Sequence, residues 1–110
     1  MAGDFLSELD ERRSAALGRM AAVTGNSGVC AVTKSGRAFP AAKFHEGAVA
    51  ALGEVRRRFR GSGGEPGAVL GEVLGDWLER QSVASDRGPD WQAYTAGGVE
   101  ELHLLEVDLT

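Results

Sequence analysis

The fold class depends on residues 91–109, WQAYTAGGVEELHLLEVDL, because this stretch fits two periodicities. In one interpretation, residues 91–95 form a strand and Gly97-Gly98 the turn of a hairpin. The second strand of that hairpin is residues 103–109, where polar and apolar side chains would alternate between two faces. This interpretation predicts a hairpin at the end of the chain.

The same stretch also fits a helix, since Val99, Leu102 and Leu105 recur at three-residue steps on one face. Two features favour the strands. A Gly-Gly pair readily forms a hairpin turn, and the Val-Asp-Leu sequence at residues 107–109 is poor helix material.

A second hairpin is predicted upstream. Residues 28–33, GVCAVT, are short, small and β-branched, as in a buried strand. Residues 34–37, KSGR, form a tight reversal, and residues 37–40 return as the partner strand. Pro40 cannot donate a ladder hydrogen bond, so it is expected at the end of that strand or on a sheet edge.

Three helices are predicted from apolar spacing: about residues 4–23, 46–60 and 66–81. Gly61 is the expected stop of the second, and Pro66 occupies a favoured first-turn position of the third. The element order α-β-β-α-α-β-β predicts one α+β domain over residues 1–110. It would consist of an antiparallel sheet of about four short strands with helices packed on it.

Composition limits the class of protein. The chain has 110 residues, of which 43% are hydrophobic and 25% charged, as in an ordinary globular domain. Its longest apolar run, residues 48–52, is far shorter than the ~20 residues of a membrane span. No basic, apolar leader precedes the first helix, so we expect a cytoplasmic protein without a membrane partner.

Charge is distributed unevenly along the chain. Residues 1–60 hold ten Lys or Arg against six Asp or Glu, whereas residues 61–110 hold two against ten. A mixed surface is the ordinary explanation. The alternative is that opposite faces favour self-association, and we predict a homodimer.

Arg56, Arg57, Arg58 and Arg60 form the densest positive cluster, here called the arginine cluster. Cations at this position stabilise the negative end of the predicted helix. The cluster is also a candidate surface for an acidic protein partner, or for nucleic acid or another anionic ligand. Nucleic acid is disfavoured because four arginines in an acidic chain neutralise few phosphates.

Two further sets of residues are candidates for contacts. Trp91 and Tyr94 are possible anchors for a partner. Gly67, Gly71 and Gly75 recur every four residues and predict a face that packs closely against another helix, although a glycine-rich composition alone also explains them.

The sequence offers little for catalysis. The single cysteine, Cys30, lies in an apolar run and is interpreted as a small buried hydrophobe. An enzyme using Cys30 with His45 or His103 is the weakest hypothesis, and a metal site from these three residues would need distant segments to meet. We therefore predict a protein-interaction module without catalytic activity, cofactor or metal, and binding of an anionic ligand by the arginine cluster is the alternative.

Overall fold

The computed structural model describes residues 2–24 and 40–109, and these residues contain four α-helices, one 3₁₀ turn and no strand. The predicted α+β fold with an antiparallel sheet is therefore wrong, and the described chain is a helical bundle. The helices are α1 (Ala2–Thr24), α2 (Pro40–Ser62), α3 (Pro66–Ala84) and α4 (Pro89–Leu109), and the 3₁₀ turn is Ser85–Arg87.

The three predicted helices are confirmed, each somewhat longer than expected. The largest difference is in α2, which begins at Pro40 and not near residue 46. Pro40 lies in the first turn of the helix, where its missing N–H is no loss, so its placement at a strand end is wrong. The rest of the predicted upstream hairpin, including Cys30, lies outside the described residues.

Residues 91–109 form a helix, so the predicted strands at 91–95 and 103–109 and the hairpin turn at Gly97-Gly98 are all wrong. The helical stripe through Val99, Leu102 and Leu105 is the one that is buried. Burial of that stripe against α2 and α3 outweighs the weak helix propensity of the local sequence, which is a small effect per residue.

Two glycines with positive φ separate the helices. Gly63, at φ 65°, follows α2, and its N–H donates to the Phe59 carbonyl at 3.2 Å, which closes the helix two residues after the predicted stop at Gly61. Gly88, at φ 95°, separates the 3₁₀ turn from Pro89 at the start of α4. The second turn sets the angle between α3 and α4.

Helix α2 is central, because α1, α3 and α4 all pack against it. At one end of the bundle the rings of Phe5 and Phe59 meet edge-on, with centroids 4.9 Å apart. The side chains of the core come from all four helices: Phe5, Leu9, Ala51, Leu52, Val55, Phe59, Val69, Leu70, Val73, Leu74, Trp77, Val99, Leu102 and Leu105.

The crossing of α2 and α4 depends on glycine. A Cβ added at Gly97 would overlap the carbonyl oxygen of Phe44 and lie 2.6 Å from its carbonyl carbon. A Cβ at Gly47 would in turn lie 2.8 Å from the carbonyl carbon of Tyr94. Both helices thus present glycine to the other's backbone, and only glycine permits so close an approach.

Candidate interaction groove

A groove lies where the end of α3, the 3₁₀ turn and the start of α4 meet. It has a volume of about 390 Å³. We call it the aromatic groove; it is lined by Arg80, Val83, Ala84, Arg87, Trp91, Tyr94 and Thr95. It includes Trp91 and Tyr94, the two aromatic residues predicted as partner anchors.

Local hydrogen bonds fix the turn that shapes the groove. The side-chain amide of Gln92 donates to the Ser85 carbonyl at 3.0 Å, and the backbone N–H of Gln92 donates to the Gly88 carbonyl at 3.1 Å. Thr95 Oγ1 donates to the Trp91 carbonyl at 2.9 Å. The bonds of Gln92 therefore join the first turn of α4 to the 3₁₀ turn and to Gly88, and the bond of Thr95 stabilises the turn that carries Trp91.

Two aromatic rings, those of Tyr94 and Trp91, line the groove, and the Trp77 ring packs behind Tyr94. The Tyr94 ring lies between the other two, with its centroid 5.4 Å from that of Trp77 and 5.6 Å from that of Trp91. Trp77 is 1% exposed and belongs to the core, whereas Trp91 is 48% exposed. The row of rings therefore connects the hydrophobic core to the surface.

An arginine lies over each tryptophan. The Arg80 guanidinium carbon is 5.0 Å from the Trp77 ring centroid, and that of Arg87 is 5.5 Å from the Trp91 centroid. Both distances are within the range of cation–π attraction. The groove is thus bordered by two positive charges, and no carboxylate is among its lining residues.

Glu54 of α2 supports this arrangement from below. Its carboxylate accepts hydrogen bonds from Trp77 Nε1 at 3.1 Å, Arg80 Nη1 at 3.3 Å and Arg58 Nη2 at 3.1 Å. The Glu54 side chain is only 13% exposed, so these bonds to a charged acceptor hold Trp77 and Arg80 firmly. Glu54 and Arg80 had no predicted role, because they lie 26 positions apart in the sequence and no local pattern indicates their contact.

Burial raises the pKa of the Tyr94 hydroxyl above its usual value of about 10, and the negative charge of Glu46 adds to that effect. Tyr94 is therefore neutral at physiological pH. A neutral phenol can donate a hydrogen bond to an acceptor in the groove without adding charge.

Half of the arginine cluster is engaged within the chain. Arg56 Nε bonds to Asp10 at 2.9 Å, and Arg58 Nη2 bonds to Asp76 at 2.7 Å. Hydrogen bonding to Asp76 raises the pKa of Arg58. Arg57 and Arg60 are exposed and outside the ion pairs of the described residues. Only Arg58 is connected to the aromatic groove, through Glu54.

The glycine row on α3 is at the surface. Gly67, Gly71 and Gly75 are exposed, and a Cβ added at any of them would meet no atom within 4 Å. The row therefore packs against no other described helix. Its contact with another chain remains a prediction.

A second cleft of about 500 Å³, here called the α1–α4 cleft, lies between α1 and α4 over α2. The nearly buried carboxylate of Glu101 bonds to Arg12 at 2.9 Å and to Arg19 at 3.2 Å. Arg12 also pairs with Glu8 and Asp108, so four acid–base contacts occupy its two arginines. These ion pairs hold α1 to α4. They also neutralise the charged side chains of the cleft, which are therefore already engaged and not available to a ligand.

His45 lines the α1–α4 cleft. Of the two histidines considered for catalysis, it is the one with a polar neighbour in that cleft. Arg19 Nε lies 3.5 Å from its Nδ1. Desolvation by burial lowers the pKa of His45, and the positive charge of Arg19 lowers it further. His103 is exposed on α4, so the structure does not bring the two histidines together.

No group of three or more His, Cys, Asp or Glu side chains in residues 2–24 and 40–109 could hold a metal ion. Within the same ranges, none of the helices has the length and apolar character needed to cross a membrane. No protein-family model, curated protein or solved structure matches the chain. The proposals below therefore rest on the geometry of the chain itself.

Proposed function

We propose that this chain is a non-catalytic, self-associating protein-interaction module of the cytoplasm, and that the aromatic groove is its recognition surface. The observation that carries the proposal is the position of Trp91, which is half exposed yet held by Tyr94 on one side and Arg87 on the other. Trp, Tyr and Arg are the residue types that contribute most binding energy at protein interfaces.

The groove is also pre-organised. Thr95 bonds to the Trp91 carbonyl, Gln92 bonds to Ser85, and Glu54 holds Arg80 of the groove and Trp77 behind it. A partner would therefore pay little to order the groove, since rigid aromatic side chains lose few rotamers on binding.

The lining residues indicate the chemistry of the partner. The Arg87 guanidinium, which has no ion pair among the described residues, favours a carboxylate, whereas Arg80 is already bonded to Glu54. The exposed faces of Trp91 and Val83 favour an apolar side chain. The partner segment is therefore a short peptide that combines an acidic residue with adjacent apolar residues.

The arginine cluster is the weaker candidate for recognition. Two of its four members, Arg56 and Arg58, already bond to carboxylates of the chain. The two others give a small electrostatic footprint, because affinity for nucleic acid depends on the number of phosphates neutralised. If the chain bound heparin tightly and in a salt-sensitive way, and if Arg57→Glu abolished that binding, the arginine cluster would be the better candidate and the aromatic groove the weaker one.

The test is fluorescence anisotropy with labelled seven-residue peptides of three compositions: acidic–apolar, basic–apolar and uncharged polar. We expect the acidic–apolar peptides alone to bind. Trp91→Ala should weaken their binding about 30-fold, the effect of a typical interface hot spot. Arg87→Glu removes the positive charge beside Trp91 and should weaken binding as well. Its matched control is Arg57→Glu, a charge reversal on an exposed face of α2, which should leave binding unchanged.

Circular dichroism would verify that each variant is folded, which is expected because Trp91 and Arg87 are at the surface. Equal binding of all three peptide classes would contradict the proposal. So would acidic–apolar binding that Trp91→Ala does not affect.

A further inference from the structure

Exposed apolar side chains occur at both ends of α4. Beside its start are Val83, near the end of α3, and Trp91, which both line the aromatic groove and are 58% and 48% exposed. At its other end are Val107 and Leu109, which are 67% and 43% exposed. Exposed apolar side chains that line one groove, as Val83 and Trp91 do, are typical of interaction sites.

The charges at the two ends are opposite. Arg87 lies between Val83 and Trp91 along the chain, and Glu106 lies one helical turn from Leu109 on the same side of α4. We call Glu106 and Leu109 the α4 end patch; Val107 lies on another side of the helix, because residues two apart in a helix do not face the same way. Neither Arg87 nor Glu106 belongs to an ion pair among the described residues, whereas Arg80 pairs with Glu54 and Asp108 with Arg12.

The two surfaces cannot meet within one chain. Residues 91 and 106 lie fifteen positions apart in α4, which corresponds to about 22 Å along the helix axis. A contact between Arg87 and Glu106 therefore requires a second copy of the chain.

We propose that the α4 end patch of one copy docks in the aromatic groove of a second copy, with Glu106 paired to Arg87 and with Leu109 against Trp91 and Val83. This inference rests on the proposed function, since it identifies the acidic–apolar partner segment with the chain's own α4. The contact is head-to-tail, because it joins two different surfaces. Each copy therefore keeps a free groove or a free end patch unless the assembly closes into a ring.

The experiment is sedimentation velocity of the full chain at 10–200 µM, in low and high salt. We expect concentration-dependent association that high salt weakens, since the Arg87–Glu106 pair is at the surface. Arg87→Glu and Glu106→Arg should each weaken association at least tenfold. The double variant Arg87→Glu/Glu106→Arg restores the pair with its polarity reversed and should regain association.

Two controls match the charge changes. Arg57→Glu changes the net charge as Arg87→Glu does, and Glu11→Arg changes it as Glu106→Arg does, both at exposed positions away from α4. Neither should alter association. Mixing Trp91→Ala with Glu106→Arg should yield a 1:1 complex that grows no further, because one variant supplies the intact end patch and the other the intact groove.

The inference is overturned if the unmodified chain is monomeric at 200 µM, if the double variant does not regain association, or if the controls lose it equally. Acidic–apolar peptides that bind a monomeric chain in a Trp91-dependent way would leave the proposed function standing without this inference. Absence of both peptide binding and association would remove the two together.

Discussion

Helices α3 and α4 both carry glycines in their interiors, and the two sets have opposite roles. Gly97 and Gly98 of α4 are buried, and each faces atoms of a neighbouring helix. Gly71 and Gly75 of α3 are exposed and face nothing. The difference shows that the surface opposite a glycine, and not the spacing of glycines in the sequence, decides whether the glycine permits close packing.

The largest expected effect is that of Gly97→Ala. Its methyl group would overlap the Phe44 carbonyl oxygen, which belongs to the backbone of α2 and cannot rotate away. We expect a loss of about 3 kcal/mol in the free energy of unfolding, because overpacking of this kind outweighs the ~1 kcal/mol that alanine gains in helix propensity. Urea denaturation followed by circular dichroism measures it.

Gly18→Ala in α1 is the matched control, since a Cβ there meets no atom within 4 Å. It should leave the protein at least as stable as before. If Gly97→Ala were equally harmless, the close crossing of α2 and α4 would be wrong.

Gly98→Ala tests whether the obstacle is backbone or side chain. Its Cβ would lie 3.0 Å from Cδ2 of the Trp77 indole and closer to other ring atoms. We expect a loss of about 2 kcal/mol in the normal background and a smaller loss when Trp77→Leu removes the ring. Gly97→Ala, which meets backbone, should keep its full cost in the Trp77→Leu background.

Unfolding measurements on the two double-mutant cycles test this difference. We expect a coupling energy of about 1 kcal/mol or more for the Gly98–Trp77 pair and none for the Gly97–Trp77 pair. Equal coupling in both cycles would mean that the two glycines are not distinguished by what they face.

The helices that sequence analysis predicted are those with an unambiguous apolar stripe. Val69, Val73 and Trp77 of α3 recur every four residues and are all buried. The prediction for residues 91–109 was wrong because their pattern also fits the alternation of polar and apolar side chains in a strand. In addition, Gly97-Gly98 is equally suited to a hairpin turn and to a close helix crossing. What decides between them is the glycine at position 47, fifty residues away in sequence.

The aromatic groove was predictable in part. Trp91 and Tyr94 stood out as aromatic anchors, and Arg87 is four residues from Trp91, a spacing that brings side chains together on one side of a helix. In the structure that contact spans a turn at Gly88. Arg80 and Glu54 carried no signal, since nothing local shows that α2 and α3 place them side by side.

The smallest expected effect concerns the α3 row. Gly71→Ala places a methyl group in open space within a helix, so it should raise the free energy of unfolding by about 1 kcal/mol, the difference in helix propensity between the two residues. Gly75→Ala should do the same. Thermal and urea unfolding at low protein concentration measure the gain.

The same two variants decide between the predicted glycine face and the aromatic groove as the surface of self-association. Methyl groups on Gly71 and Gly75 would prevent another backbone from approaching α3 closely, so an interface there would weaken although each monomer became more stable. An interface between the groove and the α4 end patch would be unaffected. Gly71→Ala/Gly75→Ala with higher stability and unchanged sedimentation would therefore exclude the glycine row, whereas higher stability with lost association would identify it as the interface.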